Sequence, residues 1–309
     1  MKNKFCIIIP TYNDKKSLFH LLKEINQLKL SNIDKKLRIT IVDDGSDDLI
    51  LKKDFNAYNN IEVNYLKLKI NLGHQIALYV GILFNNELYD DYNLIIMDGD
   101  GEDRPQDIKK LIDKNNKEPN KIVYVKRKKR PEGFLYKIMY FLYKLTFLIL
   151  TGNKIDFGNF MLIPCEYVKK IIYIPTLSMH LAATLLKSKI PHTKIDLDKG
   201  KRYFGKSKVK FQYAVNLGLD AISVFSQKVI LRMLISSVFL LFALTTTMTL
   251  LIYFNFIYDY LILSIWYYSI GFLIVIFFVI VLNILIFSLL FSSLQSKKIL
   301  NYTSYKEYI

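Results

Sequence analysis

The chain has 309 residues, which is enough for one or two domains. Apolar residues make up 52% of it, with 12 glycines and 7 prolines, which excludes a disordered chain and a collagen-like one. Lys and Arg number 43 against 27 Asp and Glu, so the net charge is +16. The two cysteines, Cys6 and Cys165, are too few for a disulfide framework, and their apolar surroundings predict buried thiols in a reducing compartment.

Short apolar runs alternate with amphipathic stretches over the first 228 residues. In chain order they predict a strand at 5–9, a helix at 17–28, strands at 38–42 and 63–68, a helix at 75–88 and a strand at 94–97. Strands that alternate with helices are typical of an α/β fold, in which a mostly parallel sheet carries helices on both faces. Ligands of such sheets bind at the carboxyl edge, where the strands end.

Two further stretches predict helices at or near a membrane surface. Residues 134–150 are apolar apart from Lys137 and Lys144, so they fit either a helix lying on a bilayer or an ordinary core helix. Residues 211–231 predict an amphipathic juxtamembrane helix that leads into the last quarter of the chain.

The last quarter of the chain carries almost no charge. Residues 233–258 and 260–296 are uncharged, and about 20 apolar residues suffice to cross a bilayer. We therefore predict two transmembrane helices, at about 233–254 and 265–291, which excludes a soluble cytosolic enzyme. Basic residues flank the pair and the connecting loop carries Asp259, so both termini are expected in the cytoplasm. The expected organisation is an α/β domain at 1–210, the juxtamembrane helix at 211–231, the transmembrane pair at 232–296 and a cytoplasmic tail at 297–309.

Polar residues follow the first two strands of the predicted sheet. Pro10, Tyr12 and Asp14 come at the end of the first strand, and Asp43 and Asp44 end the second, before a Gly turn. Carboxylates at this edge can accept hydrogen bonds from a nucleobase N–H or a ribose hydroxyl. Because Asp-Gly is also a common turn pair, a solvated turn is the alternative interpretation.

An acidic segment follows the strand at 94–97. Asp98, Asp100 and Glu102 are spaced so that an extended segment can point alternate carboxylates to one side. Mg²⁺ and Mn²⁺ prefer oxygen ligands and share them with substrate phosphates, a use that Asp98-x-Asp100 fits. The spacing does not meet that of a calcium loop, and a plain acidic turn remains the alternative.

Together the three motifs resemble those of the family-2 glycosyltransferases, which share the GT-A nucleotide-sugar-binding fold. The chain matches their first strand ending in P-x-Y-N-E, with Asp14 in place of Glu, their second strand ending in V-D-D-G-S, and their later D-x-D. Residues 71–75 and 97–105 extend the resemblance to the branch that transfers sugars to dolichyl phosphate or polyprenyl phosphate, several members of which carry a C-terminal membrane hairpin. The resemblance covers residues 5 to about 228.

The resemblance implies a role for each motif. Asp43 or Asp44 would hold the uracil or guanine base, and His74 would lie near the nucleotide unless it is a structural loop histidine. The residues implied to bind the donor are Pro10, Tyr12, Asp14, Asp43, Asp44 and Asp98. The residues implied to hold Mg²⁺ or Mn²⁺ are Asp98, Asp100 and Glu102, with Asp100 counted as catalytic.

Five consecutive cations at 126–130 require anionic partners. With a membrane-spanning tail, phosphate at the bilayer surface is a nearer partner than nucleic acid, and a solvated basic loop is the alternative. The resemblance implies that Arg127 and Arg130 bind the acceptor phosphate or the donor diphosphate. It also implies that Asp156 assists the acceptor, whereas Asn159 stands where the family often has a second acid, and an amide cannot take up a proton.

Residues 200–207 fit the P-loop pattern, but their bulky residues and their late position in the domain argue against an NTP-hydrolysing site. The resemblance implies instead a segment that orders over the donor, in which Arg202, Ser207 and Lys208 bind substrate. Cations there would stabilise the leaving diphosphate.

We therefore predict an inverting glycosyltransferase anchored by several spans in the cytoplasmic membrane. It would move a sugar from a nucleotide diphosphate sugar, with UDP preferred, to a polyprenyl phosphate at the cytoplasmic leaflet. The implied cofactor is Mg²⁺ or Mn²⁺ and the implied partners are donor, acceptor and bilayer, with nucleic acid excluded and a homo-oligomer left open. Another lipid or glycan acceptor, or a non-catalytic nucleotide-sugar-binding membrane component, is the alternative. A processive polysaccharide synthase is disfavoured, because its Q-x-x-R-W motif requires a tryptophan and the sole one is Trp266, in the second predicted span.

Overall fold

The computed structural model describes residues 4–28, 37–48, 50–127, 134–205, 211–258, 265–299 and 305–309. Three residues of the predicted site, Arg130, Ser207 and Lys208, lie outside these ranges. The helices are α1 (Lys15–Asn26), α2 (His74–Leu88), α3 (Asp107–Lys117), α4 (Phe134–Thr151), α5 (Cys165–Ile171), α6 (Leu181–Ser188), α7 (Phe211–Ser223), α8 (Ser226–Tyr258) and α9 (Ile265–Ile299).

Seven strands form one sheet in the described part of the chain. They are β1 (Phe5–Thr11), β2 (Leu37–Asp43), β3 (Ile61–Lys67), β4 (Asn93–Ile96), β5 (Ile122–Arg127), β6 (Met161–Ile163) and β7 (His192–Leu197). Their order across the sheet is β3-β2-β1-β4-β6-β5-β7. Strand β6 runs antiparallel to β4 and β5, and the other paired strands are parallel. The prediction of an α/β fold with a mostly parallel sheet is confirmed.

The central strand β1 is buried along its whole length because helices cover both faces of the sheet. Alternate side chains reach opposite layers: Ile7 and Ile9 pack with Leu18 of α1, and Ile8 packs with Leu78 of α2. This double burial explains why β1 reads as a continuous apolar run. It also places the polar residues that follow β1 and β2 at the sheet edge, where the chain leaves the core.

A third apolar cluster joins the long helices to the sheet domain. Phe147 of α4 packs with Phe225 and with Val229 of α8, and Leu282 and Leu285 of α9 pack against the same cluster. The start of α8 and the later part of α9 are therefore both attached to this domain. The helices run beyond it with many exposed apolar side chains, among them Phe239, Phe242, Phe272, Leu273, Phe277 and Phe287.

One helical segment of the described residues, Ser226–Thr247, is long and apolar enough to cross a membrane, with a mean hydropathy of 2.1 and 12% of its hydropathy window buried. The apolar stretch of α9, Ile270–Leu285, is shorter. Both predicted spans fall on helices, and the two-span hairpin stays a prediction.

Helix α4 exposes the apolar side chains that the sequence placed either on a membrane or in a core. Phe141 is 64% exposed and Ile149 is 62% exposed, whereas Phe147 is fully buried. An ordinary core helix would bury most of these side chains. This exposure favours the interpretation of α4 as a surface-lying helix.

Candidate active site

The loops that follow β1 and β2 are bonded to each other. The backbone N–H of Asn13 donates to Ser46 Oγ at 2.8 Å, and the N–H of Asp47 donates to Asn13 Oδ1 at 2.9 Å. Asn13 adopts φ +48°, a left-handed conformation that asparagine tolerates better than most residues. These contacts fix one polar rim at the carboxyl edge of the sheet. Of the other two residues predicted in this motif, Pro10 is buried within β1 and Tyr12 is 43% exposed.

Asp43 and Asp44 are buried and hold the loops around them. Asp43 accepts from the backbone N–H of Ser46 at 2.9 Å and from the Tyr65 hydroxyl at 2.5 Å. Asp44 accepts from the backbone N–H groups of Leu72 and Gly73 at 2.7 and 2.9 Å. Burial raises the pKa of Asp44, and these two N–H donors oppose the rise. Each carboxylate keeps spare acceptor capacity, so base recognition by Asp43 or Asp44 stays a prediction.

Gly45 lets the loop after β3 approach these carboxylates. Its φ is +72°, and a Cβ atom there would lie 2.6 Å from the carbonyl carbon of Ile70. A side chain at this position would push the segment at 68–73 away from Asp44. The D-D-G sequence is therefore required by the packing of two loops as well as by turn formation.

The acidic segment after β4 is a turn that a buried ion pair supports. Asp103 is buried, accepts from the backbone N–H of Asp98 at 2.8 Å, and forms an ion pair with Arg127 of β5. Arg127 also donates to the carbonyl oxygen of Glu102 at 2.7 Å. Burial raises the pKa of Asp103, and the Arg127 guanidinium opposes the rise. The structure thus gives Arg127 a supporting contact under the acidic turn, and phosphate binding by Arg127 stays a prediction.

Arg202 connects the first and third motifs. Its two terminal nitrogens lie 2.8 Å from Asp100 Oδ2 and 2.5 Å from Asp14 Oδ2. Burial, followed by the charge of Asp98, raises the pKa of Asp100 to about 6. Asp14, Asp100 and Arg202, which the sequence predicted to share a site, are therefore together.

The segment around Arg202 packs closely over the acidic turn. Lys199 Nζ lies 2.8 Å from Glu102 Oε2, and the backbone N–H of Tyr203 donates to the carbonyl oxygen of Asp100 at 2.9 Å. Gly101 adopts φ +91°, and a Cβ atom on it would lie 2.6 Å from the Tyr203 ring. Sequence reasoning did not assign a role to Lys199, Tyr203 or Asp103. The only signal for Asp103 was an extra acid in a segment already rich in acids.

Asp98 offers a divalent cation an oxygen without a donor, whereas Asp100 and Glu102 each pair with a cationic side chain. Asp98 Oδ1 is a buried oxygen without a hydrogen-bond donor, and the charge of Asp98 acts on Asp100. Glu102 faces Lys199 instead. Among the residues that the structure describes, no three His, Cys, Asp or Glu side chains form a metal-binding group. Two carboxylates that share a cation with substrate phosphates match the usual mode of Mg²⁺ binding. Metal binding by Asp98, Asp100 and Glu102 together stays a prediction.

Several buried polar atoms without partners belong to residues beside His74 in space or in sequence. His74 Nε2 lies 3.6 Å from Asp98 Oδ1 and 3.1 Å from Asn159 Nδ2. Asn159 Oδ1 and Gln75 Nε2, like Asp98 Oδ1, are buried with no hydrogen-bond partner. Native proteins leave few such atoms unpaired, and ordered water or a bound polar group satisfies them.

Helix α7, which precedes the long apolar helix α8, also lies near this site. Burial, followed by the charges of Asp44 and Asp98, raises the pKa of Tyr213. The carboxylates of the second and third motifs thus both lie near this helix. Asp156, predicted to assist the acceptor, forms an ion pair with Lys194 of the edge strand β7 at 2.8 Å, and its role stays a prediction.

The sheet order, with acidic side chains gathered at its carboxyl edge, defines a mostly parallel α/β domain with a polar site at that edge. The model of glycosyl transferase family 2 matches residues 6–172, more than half of the chain. The chain belongs to this family and is a glycosyltransferase, as the motifs predicted. The alternative of a non-catalytic component is set aside.

The chain is also similar to particular proteins. It is 29% identical to an uncharacterised glycosyltransferase of Synechocystis over 73% of this chain and 70% of that protein. It is 25% identical to the undecaprenyl-phosphate 4-deoxy-4-formamido-L-arabinose transferase of Proteus mirabilis over 72% of this chain and 67% of that protein. A solved mycobacterial protein shares the fold, with a TM-score of 0.51 and 12% identity over 73% of this chain and 74% of that one.

Proposed function

We propose that this glycosyltransferase transfers a sugar from a nucleotide diphosphate sugar, with UDP as the expected nucleotide, to a polyprenyl phosphate at the cytoplasmic face of a membrane. The observation that carries the proposal is the convergence of Asp14, Asp98, Asp100 and Arg202 at one end of the sheet, beside a helix that leads into the apolar segment. A relative whose name specifies undecaprenyl phosphate as its acceptor supports it.

The charges at the site suit a diphosphate donor. A cation held by Asp98 and Asp100 would neutralise the departing diphosphate when bound. Arg202 supplies a fixed positive charge beside these carboxylates and would contact the same leaving group. The acceptor phosphate oxygen attacks the anomeric carbon as the bond to the donor diphosphate breaks. It is already ionised near neutral pH, so no strong base is required and Asn159 at the expected acid position is compatible with the reaction.

The apolar helices would hold this site at the headgroup plane. Helix α8 starts in contact with the sheet domain, α9 packs back onto it, and residues 305–309 contact it again. A helix pair with both ends on one domain crosses a bilayer an even number of times, which supports two spans. The exposed apolar side chains of α4 would lie in the same interface.

Sugar transfer in detergent tests the function. Membranes containing the full chain are incubated with undecaprenyl phosphate, radiolabelled UDP-sugars or GDP-sugars, and Mg²⁺ or Mn²⁺. The Asp100→Asn variant is compared with Asp113→Asn, which removes an exposed carboxylate of α3. Label in a charged lipid product, lost with Asp100→Asn and retained with Asp113→Asn, is the expected result. Nucleoside diphosphate release without a lipid product would refute the acceptor, and absence of both signals with every donor would refute the proposed reaction.

Membrane crossing has its own test. Single cysteines are placed at position 259 and at position 309 in a background without Cys6 and Cys165. An impermeant thiol reagent added to intact cells is expected to label position 259 and to spare position 309. Equal labelling of both positions would contradict the two-span arrangement.

A further inference from the structure

Residues 305–309, which follow the last long helix, pack against the sheet domain. We call them the strap. Tyr305 is 3% exposed and belongs to the apolar cluster that α2 forms with the sheet. Its hydroxyl donates to Glu87 of α2, and Lys306 forms an ion pair with the same carboxylate. The strap is therefore seated by a buried ring and by polar contacts on one helix.

The strap also bonds to the chain directly after β3. The backbone N–H of Lys69 donates to the carbonyl oxygen of Tyr308 at 2.8 Å, and Lys69 Nζ donates to the carbonyl oxygen of Glu307 at 2.7 Å. Lys69 thus uses both its backbone and its side chain to bind the strap. The neighbouring Leu68 is fixed on the other side, since its N–H donates to the carbonyl oxygen of Asp43 at 2.8 Å.

The segment that the strap contacts, residues 68–73, also donates hydrogen bonds to Asp44. Residues 68–73 begin at these contacts and end at Leu72 and Gly73, whose N–H groups donate to the Asp44 carboxylate. Between them, Ile70 is 59% exposed. Gly73 adopts φ +98°, a backbone conformation that residues with side chains rarely adopt, and its N–H is one of the two donors to Asp44. Hydrogen bonds at its two ends, together with the packing of Leu68 and Leu72 against the core, therefore hold its conformation.

We propose that Tyr305 is a positioning residue for donor binding: by seating the strap, it holds residues 68–73 in the conformation that fixes Asp44. The proposal rests on the proposed function, in which Asp44 belongs to the donor nucleotide site. It assigns to the residues beyond the membrane helices a task in substrate binding in addition to anchoring.

Nucleotide binding and hydrogen exchange together test the proposal. The full-length protein in detergent is titrated with UDP and with GDP in the presence of Mn²⁺, and the Tyr305→Ala variant is compared with Lys306→Ala. Lys306 is a matched control because its ion pair is exposed and contributes little. Tyr305→Ala is expected to raise the nucleotide Kd about tenfold, within the range typical of coupling between two sites, and to speed amide exchange in residues 68–73. In the transfer assay the donor KM should rise while kcat and the acceptor KM stay within about twofold, since the coupling acts on binding.

Two further variants keep the test decisive. Tyr305→Phe retains the buried ring and is expected to restore the Kd to within about threefold of the unmodified protein, since a lost hydrogen bond near the surface has a small effect. Lys69→Met removes an exposed ammonium and should raise the Kd in the same direction without threatening the fold. An unchanged nucleotide Kd in Tyr305→Ala and Lys69→Met would overturn the inference and leave the proposed function standing. An unmodified protein that binds neither nucleotide would overturn both.

Discussion

Removing Arg127 is expected to destabilise the domain because its partner Asp103 is buried. The Asp103 side chain is 2% exposed and that of Arg127 is 17% exposed. Replacing one member of a buried ion pair leaves an uncompensated charge and costs about 3–5 kcal/mol. In a domain of this size each kcal/mol lowers Tm by about 2–4 °C, so Arg127→Met should lower Tm by about 6–20 °C. The double variant Arg127→Met with Asp103→Asn removes the buried charge and should recover most of the loss.

The chain offers its own reporter for this measurement. Cys6 is fully buried in β1, and burial raises the pKa of its thiol to about 12, so it reacts with a thiol dye only after unfolding. Cys165 is partly exposed, and a Cys165→Ser background removes its signal. If Arg127→Met changes Tm by less than about 2 °C while sugar transfer falls, the supporting role is refuted and Arg127 binds phosphate, as the sequence resemblance implied.

Three other perturbations separate the roles at the site. Asp98→Asn should lower transfer at least about 100-fold, as the loss of one stabilising group does in other active sites. Glu102→Gln, which faces Lys199, should lower it only about tenfold, the lower end for residues that support a metal site. EDTA should abolish transfer, and equal effects of the two substitutions would contradict the two-carboxylate arrangement. Asn159→Asp should weaken donor binding, because it adds a negative charge near Asp98, whose carboxylate approaches the same His74 nitrogen. An unchanged nucleotide Kd would refute this. Burial lowers the pKa of His180 to about 4, so the folded state is most stable above pH 6.5, where the imidazole is neutral in both states. Between pH 6.5 and 4 the unfolded state takes up the proton first, and the free energy of unfolding falls by about 3 kcal/mol. His180→Asn keeps the helix-capping acceptor and should flatten the dependence of Tm on pH in this range.

The site residues at strand ends were predictable because the sheet is built from local patterns. Continuous apolar runs predicted β1, β2 and β4, and each run ends where the acidic residues begin. Parallel strands deliver their ends to one edge, so Asp14, Asp43 and Asp98 were expected to gather there before any contact was known. The predicted boundaries of β1 to β4, α1 and α2 differ from the observed ones by at most two residues, which is where strands and helices fray. The helix predicted at 211–231 is instead two helices, because α7 ends at Ser223 and α8 begins at Ser226.

The contacts that orient these residues were not predictable from local pattern. Arg202 reaches Asp100 across 102 positions and Asp14 across 188, and Tyr305 reaches Glu87 across 218. The resemblance assigned Arg202 to the donor and did not indicate that it pairs with two carboxylates. The antiparallel strand β6, only three residues long, is also set by its neighbours.

The sequence by itself determined the class of fold, the edge at which the acidic residues gather, and the uncharged segment that forms long apolar helices, because periodicity and charge act between near neighbours in the chain. The tertiary structure decided which cations serve as supports: Arg127 under Asp103, Lys199 on Glu102, and Arg202 between two carboxylates. It also decided that the residues after α9 contact the segment at 68–73, which donates hydrogen bonds to Asp44. Charge pairing and burial depend on which distant segments the fold brings together, and no local pattern records that.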